Sequence, residues 1–215
     1  VLPLQVHVLF SHKANIPKRS FVVFRRPTIL AMPSLREVAF HEAGHAVVGE
    51  VGGNRCEELT IVPEDGPLGC VTWPDIPEIV ELQLEGQYTA HGEPEWNELK
   101  NWVDARVRSS LAGPLAEQRI TGDFNWDGAR SDLESIGRFV LNVYGYEGPD
   151  HDEALCPVML RDPQMGVELE DWSQVSLRVR ELWDDEVEAL LTEHWDWVEA
   201  VAILAVWKKT ITGDQ

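Results

Sequence analysis

Two histidines four residues apart, with a glutamate beside the first, are the residues of this 215-residue chain best suited to chemistry: His41-Glu42-Ala43-Gly44-His45. On a helix, positions i and i+4 share a face, so both imidazoles can hold one Zn²⁺ while Glu42 reaches a water on the metal as general base. In a chain of this composition chance supplies only about 0.02 occurrences of H-E-x-x-H. Tetrahedral catalytic zinc takes a third protein ligand and keeps its fourth position open. No third histidine follows at the H-E-x-x-H-x-x-G-x-x-H spacing, because His45 is followed by Ala-Val-Val-Gly-Glu-Val. Carboxylates from a later helix remain, chiefly Asp132, Glu134 and Glu117, and spacing does not choose among them.

The elements that must position these residues are signalled locally. Ser34-Leu-Arg-Glu37 is a capping box that starts a helix, and Gly52-Gly53 ends it. Glu58-Leu-Thr-Ile-Val-Pro63 and Leu68-Gly-Cys-Val-Thr-Trp73 are β-prone runs separated by a turn cluster, Glu64 to Pro67. An acidic, proline-bearing loop is expected from Pro74 to Pro94. A second helix carries Leu99, Trp102, Val103, Val107 and Leu111, with a bend at Gly113-Pro114, and a third follows Asn125-Trp-Asp-Gly128 with Leu133, Ile136, Val140 and Val143. Loops are expected at 147–152 and 161–171. From Ser173 to about Lys209 the pattern is helical, either one helix or a hairpin broken near His194.

Composition bounds the class. With 44% apolar and 26% charged residues the chain is neither wholly disordered nor long enough in any apolar run to cross a bilayer. A net charge of −19 disfavours nucleic acid. Residues 1–36 hold six basic side chains and no acid, so the rest is six charges more negative than the whole. Residues 1–31 are expected to be a disordered basic extension before a domain at 32–215, and Met32 is a candidate natural start. Cys56, Cys70 and Cys156 form no C-x-x-C pair, which fits buried thiols in a reducing, cytoplasmic setting. His7, His12, His91, His151 and His194 lie in no ligand spacing, and Trp102, Trp183 and Trp195 fall on apolar helical stripes. The run WDDEVE, residues 183–188, reads as a solvated helix face.

Phe40-His-Glu-Ala-Gly-His-Ala-Val-Val48, Leu59-Thr-Ile-Val-Pro63 and Leu68-Gly-Cys-Val-Thr72 together resemble the peptidase domain of FtsH-type AAA proteases. There HEAGHA is followed by a strand, a turn and an LGxT edge strand. Leu111-Ala-Gly-Pro-Leu-Ala-Glu-Gln118 is similar to that family's LxGGRxAEE helix, and Gly128-Ala-Arg-Ser-Asp132-Leu133 to its TGAxNDL segment. The resemblance implies an α+β, mostly α-helical, zincin-like fold with a small β-sheet, an edge strand and a C-terminal helical part. It implies Asp132 as third zinc ligand beside His41 and His45, and Glu117 as a residue supporting the ligands. Departures are Pro114, Gln118, Ser131 in place of Asn, and an acidic insertion from Asp75 to Pro94.

The activity so implied is zinc-dependent endopeptidase cleavage of unfolded or flexible polypeptides, with Glu42 activating the water. Leu68, Gly69, Cys70, Val71, Thr72 and Trp73 would hold an extended substrate through main-chain hydrogen bonds. No G-x-x-x-x-G-K-[ST] loop or membrane segment occurs, so a stand-alone peptidase is expected, with ATP-driven unfolding left to a separate ATPase. By resemblance the assembly would be a hexamer. The alternatives are a non-catalytic interaction module whose zinc is structural, and an enzyme that turns the same chemistry on a non-peptide amide.

Overall fold

In the computed structural model the described residues are 33–62, 68–74, 77–78, 95–144 and 169–213. The N-terminal extension, the turn at 64–67, most of the 74–94 loop, the 147–152 loop, nearly all of the 161–171 loop, Cys156, His7, His12, His91 and His151 lie outside them.

Helix α1, Leu35–Val51, begins as its sequence dictates. Ser34 Oγ accepts from the Glu37 amide at 3.2 Å, and Glu37 Oε2 accepts from the Ser34 amide at 2.7 Å. It ends where Gly53 takes a positive φ of 85°. Every residue from Val38 to Gly49 is buried, so α1 is enclosed on all sides rather than along one stripe. Two imidazoles and a carboxylate thereby enter the interior, where each polar atom needs a partner.

The partners come from helices packed around α1. Helix α2, Glu95–Thr121, runs beside it and continues past Gly113-Pro114. Helix α3, Arg130–Tyr144, packs Leu133, Ile136 and Val140 inward, whereas the side chain of Val143 lies outside the described residues. Helices α4, Leu169–Glu193, and α5, Trp195–Lys208, form the broken pair, with the break at His194. Phe40 of α1 stacks on Trp195 at 5.6 Å, Trp183 is buried, and Trp102 and Trp195 pack against the core. Within the acidic run Asp185, Glu186 and Glu188 are exposed. Among the described residues no helix is long and apolar enough to cross a membrane.

A three-stranded antiparallel sheet, ordered β2-β1-β3, flanks α1. Strand β1, Glu58–Thr60, is central; β2, Cys70–Thr72, and β3, Thr210–Thr212, pair on either side. Leu59 and Ile211 face the core with Val71 half-buried, and the two-residue period turns Cys70 and Thr72 outward. The expectation of buried thiols therefore holds for Cys56 and fails for Cys70, which is exposed. Strand β3 has no counterpart in the sequence reading, being three residues directly after a helix. The chain turns into it at Lys209, whose φ is 72°.

Helices α1 and α2 meet at Gly44, where an added Cβ would collide with the Ala112 carbonyl and the Ala116 methyl. Gly→Ala normally favours a helix by up to ~1 kcal/mol, but overpacking against rigid backbone costs ~1–3 kcal/mol. Gly44→Ala should therefore lower stability, as measured by denaturant unfolding.

Candidate metal centre

His41 and His45 stand one turn apart on α1 with ring centroids 4.7 Å apart and nearly perpendicular planes. Each has one ring nitrogen engaged by α2. His41 Nδ1 meets Glu117 Oε2 at 2.8 Å, and Glu117 Oε1 in turn accepts from Asn125 Nδ2 at 2.9 Å. His45 Nδ1 meets the Ser109 carbonyl at 2.7 Å, while Ser109 Oγ donates back to the His45 carbonyl at 3.0 Å. The His45 ring fits against α2 because Gly113 has no side chain; a Cβ there would overlap the imidazole. The Gly-Pro pair that suggests a bend is, at its glycine, a place for the ring.

The remaining nitrogens converge on one carboxylate. Asp132, in the first turn of α3, lies 3.2 Å by Oδ2 from His41 Nε2 and 3.4 Å by Oδ1 from His45 Nε2. Of the three carboxylates that spacing leaves open, Asp132 thus reaches both Nε2 atoms and Glu117 reaches Nδ1. Glu134 is not among the residues lining the cleft. One ligand atom from each of His41, His45 and Asp132 lies within 4.8 Å of the others. Because the Ser109 carbonyl can only accept, and Glu117 accepts as a carboxylate, both Nδ1 atoms carry the hydrogen in a neutral ring. Both Nε2 atoms then offer lone pairs toward an anion. Such a set of acceptors is stable only around a cation, whether a proton or a metal ion, and two imidazoles with a carboxylate match zinc's preferred donors.

The electrostatics agree. Burial would lower His41, but hydrogen bonds to the Asp132 and Glu117 carboxylates outweigh it and hold the imidazole up to about 10. Burial would raise Asp132 and Glu117, yet Asp132 is held well below the usual range by the charges and hydrogen bonds of His45 and His41, and Glu117 is lowered by hydrogen bonds from His41 and Asn125. Glu42 moves the other way. Burial raises it, the histidine charges oppose this, and Asp132 and Glu117 add to it.

These groups line a cleft of about 420 Å³. Its wall includes Leu68, Gly69, Cys70, Val71 and Trp73, and Thr72 is not among its lining residues. Strand β2 lies at the sheet edge with no strand beyond it among the described residues. Gly69 passes so close to Glu42 that an added Cβ would lie 2.5 Å from its Oε1. Sequence reasoning missed Ser109, Asn125, Gly113 and Arg106, another wall residue. A backbone acceptor such as the Ser109 carbonyl leaves no sequence signal.

Two buried histidines and a half-buried aspartate, with a glutamate beside the first histidine, are a donor set that one zinc ion can accept. No family model matches the chain. It is 27% identical, over 79% of its length, to the mitochondrial inner membrane i-AAA protease supercomplex subunit YME1 of Saccharomyces cerevisiae, covering 20% of that protein. It is 22% identical over 86% of its length to the ATP-dependent zinc metalloprotease FtsH 3 of Conexibacter woesei, covering 23% of it. To the FtsH of Mycoplasmopsis pulmonis it is 31% identical over 56% of its length and 15% of that protein. The chain is thus similar in sequence to proteases of the FtsH kind over much of its length, and it spans about a fifth of the length of these relatives.

Two outcomes follow. Glu117→Gln sets an amide donor against either the His41 N–H or the Asn125 amide, and should weaken zinc binding ~10- to 100-fold in competition with a chromophoric chelator. Near pH 8 the proton held on His41 must leave as zinc enters, so calorimetry in buffers of different ionisation enthalpy should show proton release and affinity that falls as pH falls.

Proposed function

We propose that residues 32–215 form a zinc-dependent metalloendopeptidase domain of the FtsH type, zincin-like in its fold. The observation that carries this reading is the convergence of His41 Nε2, His45 Nε2 and the Asp132 carboxylate, with both Nδ1 atoms already committed to α2. These three residues would hold the zinc, with Glu117, Asn125 and Ser109 orienting the rings. Zinc in that position supplies a Lewis acid for a peptide carbonyl and for water.

Glu42 is the general base. Its carboxylate lies in the cleft beside the histidines, and burial raises its pKa, which favours taking a proton from the attacking water and passing it to the departing amine. An extended peptide would add to the β2 edge and run along residues 68–73, with Gly69 letting it lie over Glu42. Recognition through main chain admits many sequences, so the substrates are unfolded or flexible polypeptides. The FtsH relatives are named ATP-dependent; an ATPase module, in this or another chain, would be needed only for folded substrates.

Purified protein should bind one zinc per chain, and Asp132→Ala should weaken that binding by more than ~10-fold. Unfolded casein should be cut without ATP. Glu42→Gln should retain zinc and lose ~10²- to 10⁴-fold in cleavage rate. Zinc-loaded wild type that leaves casein intact, or Glu42→Gln that still turns over, would sink the reading.

A further inference from the structure

Among the described residues, one cation of the cleft has no carboxylate set against it. Among the described residues lining it, Arg106 is the only arginine or lysine. It sits on α2 one turn before Ser109, and its Cζ lies over the ring of Trp73 at 4.9 Å and of Trp102 at 5.6 Å. Trp73 follows directly on β2, and its ring is seated against Gly49, where any Cβ would overlap it. Contact with two indoles fixes a guanidinium through its faces while leaving the N–H edges to seek acceptors.

At Nε the described residues supply none. Among the described residues no carboxylate pairs with Arg106, and its Nε is buried without a hydrogen-bond partner. Burial alone pushes the group down to about 10, which leaves it charged at neutral pH. The contrast is with Arg180, whose guanidinium meets the Asp184 carboxylate at 2.7 Å. A desolvated donor without an acceptor is costly, and an anion entering the cleft would relieve it.

We propose that Arg106 is the specificity residue of the cleft and binds a substrate carboxylate, carried either by an acidic side chain or by the chain terminus; this rests on the peptidase reading above. A peptide laid along β2 passes Trp73 at its end and reaches the guanidinium there. The overall charge of −19 repels acidic peptides, so a preference that Arg106 carries works against the field of the whole chain.

The test is fluorescence anisotropy with the zinc-loaded full chain carrying Glu42→Gln, so that binding is scored without turnover. The probes are short labelled peptides of Ala, Phe and Gly with one Glu placed at each position in turn, their Gln counterparts, and both sets with free and amidated C-termini. The carboxylate forms should bind roughly ten-fold or more tightly than the neutral forms, the size of one charge-assisted pair. Arg106→Gln and Arg106→Met should each bring the ratio close to one, with zinc content and near-ultraviolet dichroism reporting that the fold is kept. A Glu-over-Gln difference assigns the side chain as the source, and a free-over-amide difference assigns the terminus. Equal affinities, no binding, or a preference that survives both substitutions would overturn the proposal. Casein cleavage by wild type separates the two readings: a carboxylate preference without cleavage refutes the peptidase reading and sustains Arg106, and cleavage without a preference does the reverse.

Discussion

Burial of two imidazoles in the middle of an enclosed helix is the constraint around which the molecule is arranged. In water each ring nitrogen would be solvated; within α1 each must be answered by protein or by a bound cation. Helix α2 answers both Nδ1 atoms, through the Ser109 carbonyl and Glu117, and α3 meets both Nε2 atoms with Asp132. The close approach this requires is set by absent side chains. Gly44 lets the helices touch, and Gly113 accommodates the His45 ring. The core surrounding α1 therefore stabilises the fold and fixes which nitrogen atoms face the cleft.

The sheet serves the same centre from the other side. Central β1 is flanked by β3 on one side and β2 on the other, and among the described residues no strand lies beyond β2 where it borders the cleft. Gly69 and Trp73 bracket that edge, one passing over Glu42 and the other resting on Gly49 of α1. Glu42, the edge strand and the tryptophan-backed arginine thus share α1 and its neighbour α2 as a common support.

What could be read in the sequence was whatever is local or patterned. The capping box and the terminal glycines delimit α1 within a few residues of chain, and the two histidines share a face by helical geometry alone. The break at His194 was one of two readings of a long apolar period, and packing on Phe40 accompanies it. Choosing Asp132 over Glu134 needs tertiary structure, because both carboxylates lie at the start of the same helix and differ only in direction. Ser109 acts through a backbone carbonyl that every residue possesses. Gly113 beside Pro114 imitates a helix breaker, whereas its missing Cβ is the relevant property. Cys70 and β3 escaped for one reason: in three-residue strands, alternation is too brief to reveal which side faces in.

His41 and Asp132 are separated by 91 positions in sequence, and Ser109 and Glu117 by 64 and 76 from the histidines they hold. An ion shared by His41 and Asp132 would tie off the later part of α1, strands β1 and β2 and all of α2 as a single loop. Because such an ion binds the folded chain and leaves on unfolding, its binding energy becomes folding energy, about 4 kcal/mol at a free concentration a thousand times the dissociation constant. In a chain whose three cysteines include one exposed and one buried thiol, the covalent version of that tether is absent among the described residues, and the metal site is the place where the fold could be locked.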